Sequence, residues 1–338
     1  MIDLSANENP FGPSAYAVHA IIDGALSAHR YPDGGGIALK EALASLLAIG
    51  MDQIVLGNGS CEVLELTARA LLGRGDEAVL GWPSFPAYRS IIARTGATAV
   101  LVPLVEQAYD LDGMAAAVTS RTRLVVLGNP NNPTGLTIRH AAFAAFLNRL
   151  PKTVAVVVDE AYREYVGGDG LADALAWIAE GRTVVVTRSL SKAYGLAGLR
   201  IGYAAAPAAL ARRIETQRQH FNTSRIAQAA ALAAIGDRHH LTHCVALNTS
   251  GRRWLENQLA ALGLHFLPSE ANFIMLRVGD GSRICQRLRG SGIQVKPLDA
   301  LDRPEWIRVS VGRPEENERF IAALVSALSQ PAAVEQAC

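Results

Sequence analysis

The sequence predicts an α/β protein. A large domain carries a mostly parallel sheet flanked by helices, and a smaller α+β domain follows. Three observations lead there. Short, almost wholly apolar runs recur at residues 54–56, 78–80, 99–102, 124–127, 154–158, 183–186 and 201–204. They do not alternate polar with apolar, as half-exposed strands do. Continuous runs are what a parallel sheet covered on both faces requires. Helical patterns lie between several of them, the order expected of an open sheet with helices on both sides. From about residue 236 the pattern changes to one long helix and then shorter units.

Residues 1–29 fit neither pattern and are set apart as an N-terminal arm. The first clear helix starts near Ser60, carries Val63, Leu64, Leu66, Ala70 and Leu71, and is expected to end at Gly73. Residues 112–118 and 140–150 read as further helices. The alanine-rich run 227–234 reads as closely packed helix, given alanine's propensity. The large domain is placed at residues 30–235 and the small one at 236–338. In the latter, a helix is expected over 240–262, strands at 273–276, 293–296 and 307–311, and a closing helix over 315–328. Ligands of such sheets bind beyond the carboxyl ends of the strands.

Composition narrows the function. A chain of 338 residues corresponds to about two domains. It has ample core without disulfides. Apolar residues are 50% and charged residues 19%, a globular balance. Net charge is +1, from 32 basic and 31 acidic side chains. Nothing electrostatic points to nucleic acid or an anionic membrane. No apolar run approaches the ~20 residues that span a bilayer. Residues 1–5 lack the basic and apolar stretches of a signal peptide. The cysteines, at 61, 244, 285 and 338, form no metal or redox spacing. A cytoplasmic, metal-free protein is the expectation.

Four segments carry chemistry. Lys192 follows the run 183–186 in Arg188-Ser189-Leu190-Ser191-Lys192, with Arg200 beyond it. A desolvated lysine is a nucleophile that can form an imine, and Ser189, Ser191 and Arg200 suit a phosphate. A solvated loop with a chance lysine is the plain alternative. Asp159 ends a wholly apolar run, so it needs a cation, a metal or a helix to cap. A protonated pyridine nitrogen is one such cation. Asn129-Pro130-Asn131-Asn132-Pro133-Thr134-Gly135 forms a rigid turn that aims Asn132 at the crevice, unless the turn is only structural. Gly57-Asn58-Gly59-Ser60-Cys61 joins a strand to a helix N-terminus, a weak anion-site signal on its own.

Together these motifs resemble the fold-type I pyridoxal-phosphate (PLP) enzymes of the class I/II aminotransferases. The histidinol-phosphate aminotransferase branch is the nearest in pattern. The likeness runs almost end to end, through Asn7-Glu8-Asn9-Pro10, Arg30-Tyr31-Pro32-Asp33, Trp82-Pro83-Ser84-Phe85-Pro86, Asp159-Glu160-Ala161-Tyr162, Pro268-Ser269-Glu270-Ala271-Asn272 and Ile307-Arg308-Val309-Ser310.

The resemblance implies roles. Lys192 binds the cofactor as an imine and shuttles the proton. Asp159 pairs with the pyridine nitrogen, and Asn132 and Tyr162 bind the ring's 3-oxygen. Phe85 stacks on the ring. Gly59, Ser60, Cys61, Ser189, Ser191 and Arg200 hold the phosphate. Tyr31 reaches the neighbouring subunit's cofactor phosphate, making the site a homodimer property. Arg308 binds the substrate carboxylate, and Asn7, Phe11 and Asn132 line the substrate site. Taken alone, Phe85 is also consistent with core, Tyr31 with a turn, and Arg308 with the solvent face of an edge strand.

The implied reaction moves an amino group between an amino acid or amino alcohol phosphate and a 2-oxo compound. The expected pair is histidinol phosphate and 2-oxoglutarate, or a related aromatic or specialised substrate. Departures motivate the second option: Cys61 replaces an Asp or Asn, and His220, Ser224 and Arg225 alter the segment near the substrate entrance. Lys296 and Arg313 are candidates for a substrate phosphate. A lyase of the threonine-phosphate decarboxylase type fits the same scaffold. A non-catalytic PLP-binding regulator does not, because no residues remain for a DNA-binding domain.

Overall fold

The computed structural model describes residues 1–168 and 171–329. Cys338 and the end of the expected small domain lie outside the described residues. The strands in chain order are β1 (Ile2–Asp3), β2 (Ile54–Gly57), β3 (Glu77–Trp82), β4 (Thr98–Pro103), β5 (Thr122–Gly128), β6 (Ala155–Asp159), β7 (Val184–Ser189), β8 (Gly202–Ala205), β9 (Phe273–Arg277), β10 (Ile293–Gln294), β11 (Lys296–Pro297) and β12 (Trp306–Ser310). The α-helices are α1 (Ala15–Leu26), α2 (Ile37–Leu47), α3 (Gly59–Leu71), α4 (Ala87–Arg94), α5 (Leu111–Ala116), α6 (His140–Arg149), α7 (Ala174–Ala179), α8 (Ala208–Glu215), α9 (Arg225–Gly236), α10 (Arg238–Ala261), α11 (Gly281–Gly290) and α12 (Pro314–Ser329).

The seven apolar runs all enter one sheet, in the order β2-β8-β7-β6-β5-β3-β4. β8 runs antiparallel to both its neighbours, and the other pairings are parallel. β5, β6 and β7 lie in the middle and are buried on both faces, which explains their unbroken valine and leucine runs. Apolar clusters line the sheet's two sides, one around Val157, Leu124 and Val63, the other around Val158, Phe143 and Trp177. β4 departs from the expectation of a covered strand. It is the sheet edge, and Thr98, Leu101 and Pro103 are exposed.

A three-stranded antiparallel sheet, β11-β12-β9, forms the smaller unit. The expected strand at 293–296 is divided there. β10 pairs in parallel with β1, whereas β11 pairs with β12. Residues 1–29 likewise divide. β1 joins the small unit, and α1 packs on α9, where Gly24 lets Ile226 approach to 3.3 Å of a notional Cβ.

Residues 4–12 connect these two attachments as a strap. Leu4 is buried with Leu255, Val311 and Phe320. The Ser310 amide donates to Leu4 O at 2.8 Å, and the Asn7 amide donates to Ser310 Oγ at 2.8 Å. Asn9 Nδ2 donates to Ala193 O at 3.0 Å, and Arg313 Nε to Pro10 O at 2.9 Å. The strap meets the large unit at Gly195, whose φ is +70° and whose notional Cβ would lie 2.4 Å from the Gly12 carbonyl carbon. Backbone fills that space, so no side chain can yield. Gly195→Ala is therefore expected to lower unfolding free energy by roughly 2–4 kcal/mol, combining left-handed strain with overpacking. Urea denaturation of the two proteins measures this.

Candidate active site

The register of the large sheet assembles the site. Gly128, Asp159 and Thr187 lie side by side at the carboxyl ends of β5, β6 and β7. The loops leaving these adjacent ends carry Asn132, then Asp159 with Tyr162, then Ser189, Ser191 and Lys192. β8 reverses direction, so its first residue, Gly202, stands beside Gly57 and Ser189 at the same edge. The N-terminus of α3 is thereby placed next to Arg200. A Cβ on Gly202 would lie 2.7 Å from the Gly59 carbonyl carbon and Ser60 nitrogen. Glycine at 202 is what allows this approach.

Asp159 is buried, as a carboxylate ending an apolar strand must be. Thr187 Oγ1 donates to one oxygen at 2.9 Å and Tyr88 Oη to the other at 2.8 Å. Among the described residues it has no ion-pair partner. Burial pushes its carboxyl up to about 6, against the pull of Tyr88, Thr187 and the Ala161 amide. The adjacent Glu160 behaves differently, since it accepts from Arg188 at 2.8 Å in a buried ion pair.

Lys192 is half-buried and donates from Nζ to Ala6 O of the strap at 3.0 Å. Burial lowers its amine to about 8, helped by the positive charges of Arg308 and Arg200. A large fraction is neutral near pH 8, which a nucleophile requires. Its Nζ stands 5.9 Å from the Tyr162 ring centroid. The Tyr162 hydroxyl accepts from Asn7 Nδ2 at 3.0 Å and Asn132 Nδ2 at 3.4 Å. Burial pushes that hydroxyl up, opposed by Arg308 and Asn7.

Arg308 corrects the edge-strand alternative. It lies on β12, the central strand of the small sheet, and is 9% exposed. It donates to Asn132 Oδ1, and at 2.6 Å to Ser5 O, while Nε has no partner among the described residues. The guanidinium sits 5.3 Å above the Phe273 ring centroid. A buried guanidinium with an unused donor, beside a low-pKa lysine, fits an anionic substrate end.

The phosphate candidates also meet. Arg200, at φ +54°, donates to Ser191 Oγ at 3.2 Å. Its Nη2 would lie 2.6 Å from a Cβ on Gly59, whose φ of +74° favours glycine. The N-terminus of the 13-residue α3 has no side-chain cap, which leaves the amides of Gly59, Ser60 and Cys61 available to an anion. Burial, then the Asp159 charge, raises the Cys61 thiol and keeps it neutral. Phe85 is half-buried ahead of α4, edge-on to Tyr88 at 5.5 Å. Phe11, also half-buried, lies in the strap.

Other candidates lie apart within one chain. Tyr31 is 77% exposed and stacks on Phe221 at 4.8 Å. With Arg30, Asn58, His220 and Arg225 it lines an open cleft of about 700 Å³. Arg225 donates to Tyr31 O at 2.7 Å, and Ser224 caps α9 through the Ala227 amide. Lys296 is exposed on β11, and Arg313 holds the strap. Tyr88 and Thr187 escaped the sequence reading. Thr187, a hydroxyl inside an apolar strand three residues after Val184, was the available signal.

Residues 1–324 match the family described as aminotransferase class I and II. The chain belongs to the class I/II aminotransferases. This aminotransferase is 44% identical over 332 residues to histidinol-phosphate aminotransferase 1 of Cupriavidus pinatubonensis, covering 97% of this chain and 88% of that one. It is 42% identical to the histidinol-phosphate aminotransferase of Methylobacillus flagellatus, covering 96% and 88%. Its fold is similar to the crystal structure of histidinol-phosphate aminotransferase from Sinorhizobium meliloti in complex with pyridoxal-5'-phosphate, with TM-score 0.91, 33% identity and coverage of 97% and 90%. The expected fold class and transaminase activity thus stand.

The Lys192 environment gives a direct test. Its amine is lowered, so the neutral, reactive form gains at lower pH than for an ordinary lysine. Acylation of Lys192 in the cofactor-free protein, followed by peptide mass spectrometry, is expected to show a midpoint near pH 8. A midpoint above 10 would contradict the burial argument.

Proposed function

We propose that this aminotransferase uses pyridoxal phosphate to exchange the amino group of histidinol phosphate with 2-oxoglutarate. The observation that carries the reading is the convergence of a low-pKa Lys192, the unpaired buried Asp159 and the buried Arg308 on one crevice. The relatives' names support the substrate. The residues fit the cofactor: a buried carboxylate without a cation suits a protonated ring nitrogen, and an uncapped helix end with Arg200 suits a phosphate.

Lys192 would hold the cofactor, with Asp159 at the ring nitrogen, Asn132 and Tyr162 at the ring oxygen and Phe85 on the ring face. Gly59, Ser60, Cys61, Ser189, Ser191 and Arg200 would hold the phosphate. Pyridoxal phosphate, when bound, supplies the carbonyl that takes the amino group and the electron sink for the substrate's Cα–H bond. Neutral Lys192 Nζ takes and returns the proton at that Cα. Arg308 orients the substrate through its anionic end, with Asn7 and Phe11 beside it. Ser5 O and Ala6 O must release Arg308 and Lys192 as substrate enters.

The reading includes a homodimer in which Tyr31 meets the neighbouring protomer's cofactor phosphate. The exposure of Tyr31, and of Tyr16, Ile22 and Leu26 on α1, supports it. It also keeps a large unit at residues 30–235 and a small one from 236. Among the described residues no helix is long and apolar enough to cross a membrane, in keeping with a cytoplasmic enzyme.

Two outcomes are expected. The PLP-loaded protein absorbs visible light, and histidinol phosphate bleaches it while yielding the oxo product without carbon dioxide. Release of carbon dioxide instead would establish the lyase alternative. Arg308→Lys keeps the charge but loses the fork. It should raise the KM for glutamate roughly tenfold to a hundredfold, with kcat changed far less. Steady-state kinetics measures this, and an unchanged KM would remove Arg308 from the substrate site.

A further inference from the structure

The contacts of Asp159 reach beyond the residues that face the substrate. Its two oxygens are each claimed by a neutral hydroxyl from a different element, Tyr88 on α4 and Thr187 on β7. Tyr88 is 3% exposed and Thr187 fully buried, so neither hydroxyl faces water. The Tyr88 hydroxyl has room because residue 128 is glycine. A Cβ there would stand 3.3 Å from it. The Gly128 amide instead donates to Tyr109 Oη at 3.0 Å, and Tyr109 Oη donates to Asn131 Oδ1 at 2.8 Å. The same short turn that presents Phe85 thus also presents Tyr88, one helical turn later.

We infer that Tyr88, with Thr187, is a positioning residue that keeps Asp159 ionised and aimed at the cofactor ring. This rests on the proposed role of Asp159. Burial works against the ionised carboxylate, and donors to its oxygens work for it. Burial and the Asp159 charge also hold the Tyr88 hydroxyl well above its ordinary range. Tyr88 therefore stays a donor at any working pH. The other titratable groups facing Asp159 are Cys61 from α3, Tyr109 ahead of α5, and Glu160 and Tyr162 from its own turn. None of them supplies a positive charge. The two hydroxyls and the Ala161 amide are what favour the carboxylate until a protonated ring nitrogen arrives.

Removing the Tyr88 hydroxyl strips one donor from a buried carboxylate. The acid then takes up a proton more readily, and a neutral acid no longer holds a charge on the ring nitrogen. In the PLP-loaded protein an uncharged ring would withdraw fewer electrons toward itself, so the visible absorbance would titrate at higher pH.

The test uses the PLP-loaded protein with Tyr88→Phe, Thr187→Val and Thr187→Ser. Two readouts other than turnover apply: the PLP dissociation constant by fluorescence, and the pH midpoint of the visible absorbance. Tyr88→Phe is expected to weaken PLP binding roughly tenfold to a hundredfold and to move the midpoint upward. Thr187→Ser retains its hydroxyl and should match wild type. Thermal melting of the cofactor-free proteins shows which variants fold. Should Tyr88→Phe not fold, Thr187→Val reads the same carboxylate from its other oxygen. A folded variant with wild-type affinity and midpoint overturns the inference. A wild-type protein that holds no PLP overturns the proposed function instead.

Discussion

The site is organised by one unfavourable act, the burial of a carboxylate at the end of an apolar strand. Asp159 lies where water cannot help it, and its carboxyl rises to about 6 in consequence. Two hydroxyls and one amide close to it compensate in part. β7 sets Thr187 directly opposite in register, and α4 delivers Tyr88 from the other side. Glu160, one residue on, is paired with Arg188. The guanidinium is thus committed to Glu160, and Asp159 retains an unmet demand for positive charge. That demand, rather than pocket shape, argues most directly for a cationic ring.

The small sheet adds the second half of the electrostatics. Arg308 rises from the central strand and stacks on Phe273. Its charge lowers Lys192 and helps to hold down the Tyr162 hydroxyl. The arginine proposed to bind substrate therefore also tunes the proposed nucleophile. Arg200 contributes in the same sense from the phosphate side. Two arginines on separate elements keep the lysine amine poised: Arg200 beside Gly59, both at positive φ, and Arg308 on the central strand of the small sheet.

Much of this was legible in the sequence because parallel strands are covered on both faces. The runs around Val125, Val157 and Val185 could scarcely be anything else. The chemistry at their ends was legible because Asp159 ends an apolar run, while Asn132 and Lys192 lie in the polar segments that follow two others. Direction was not legible, since residues 201–204 read the same whether β8 runs parallel or antiparallel. The two-residue strand β1 is too short to leave a period. Ile293 and Lys296 sit in one alternating stretch yet serve two sheets, a choice made by tertiary pairing. Thr187 fell just beyond the apolar run 183–186, and Tyr88 carried no motif. Their meaning depends on the register of β6 against β7 and on the space that Gly128 leaves.

The strap carries its information in an unusual currency. Ser5 and Ala6 touch Arg308 and Lys192 through main-chain oxygens, not side chains. Such contacts are indifferent to which amino acids occupy positions 5 and 6. They depend instead on how many residues separate Leu4, buried in the small unit, from Gly12, pressed against Gly195. One residue more or fewer would displace the oxygens by about 3.5 Å, the reach of one extended residue. At positions 5 and 6 it is spacing, measured in residues between two fixed anchors, that selection can see.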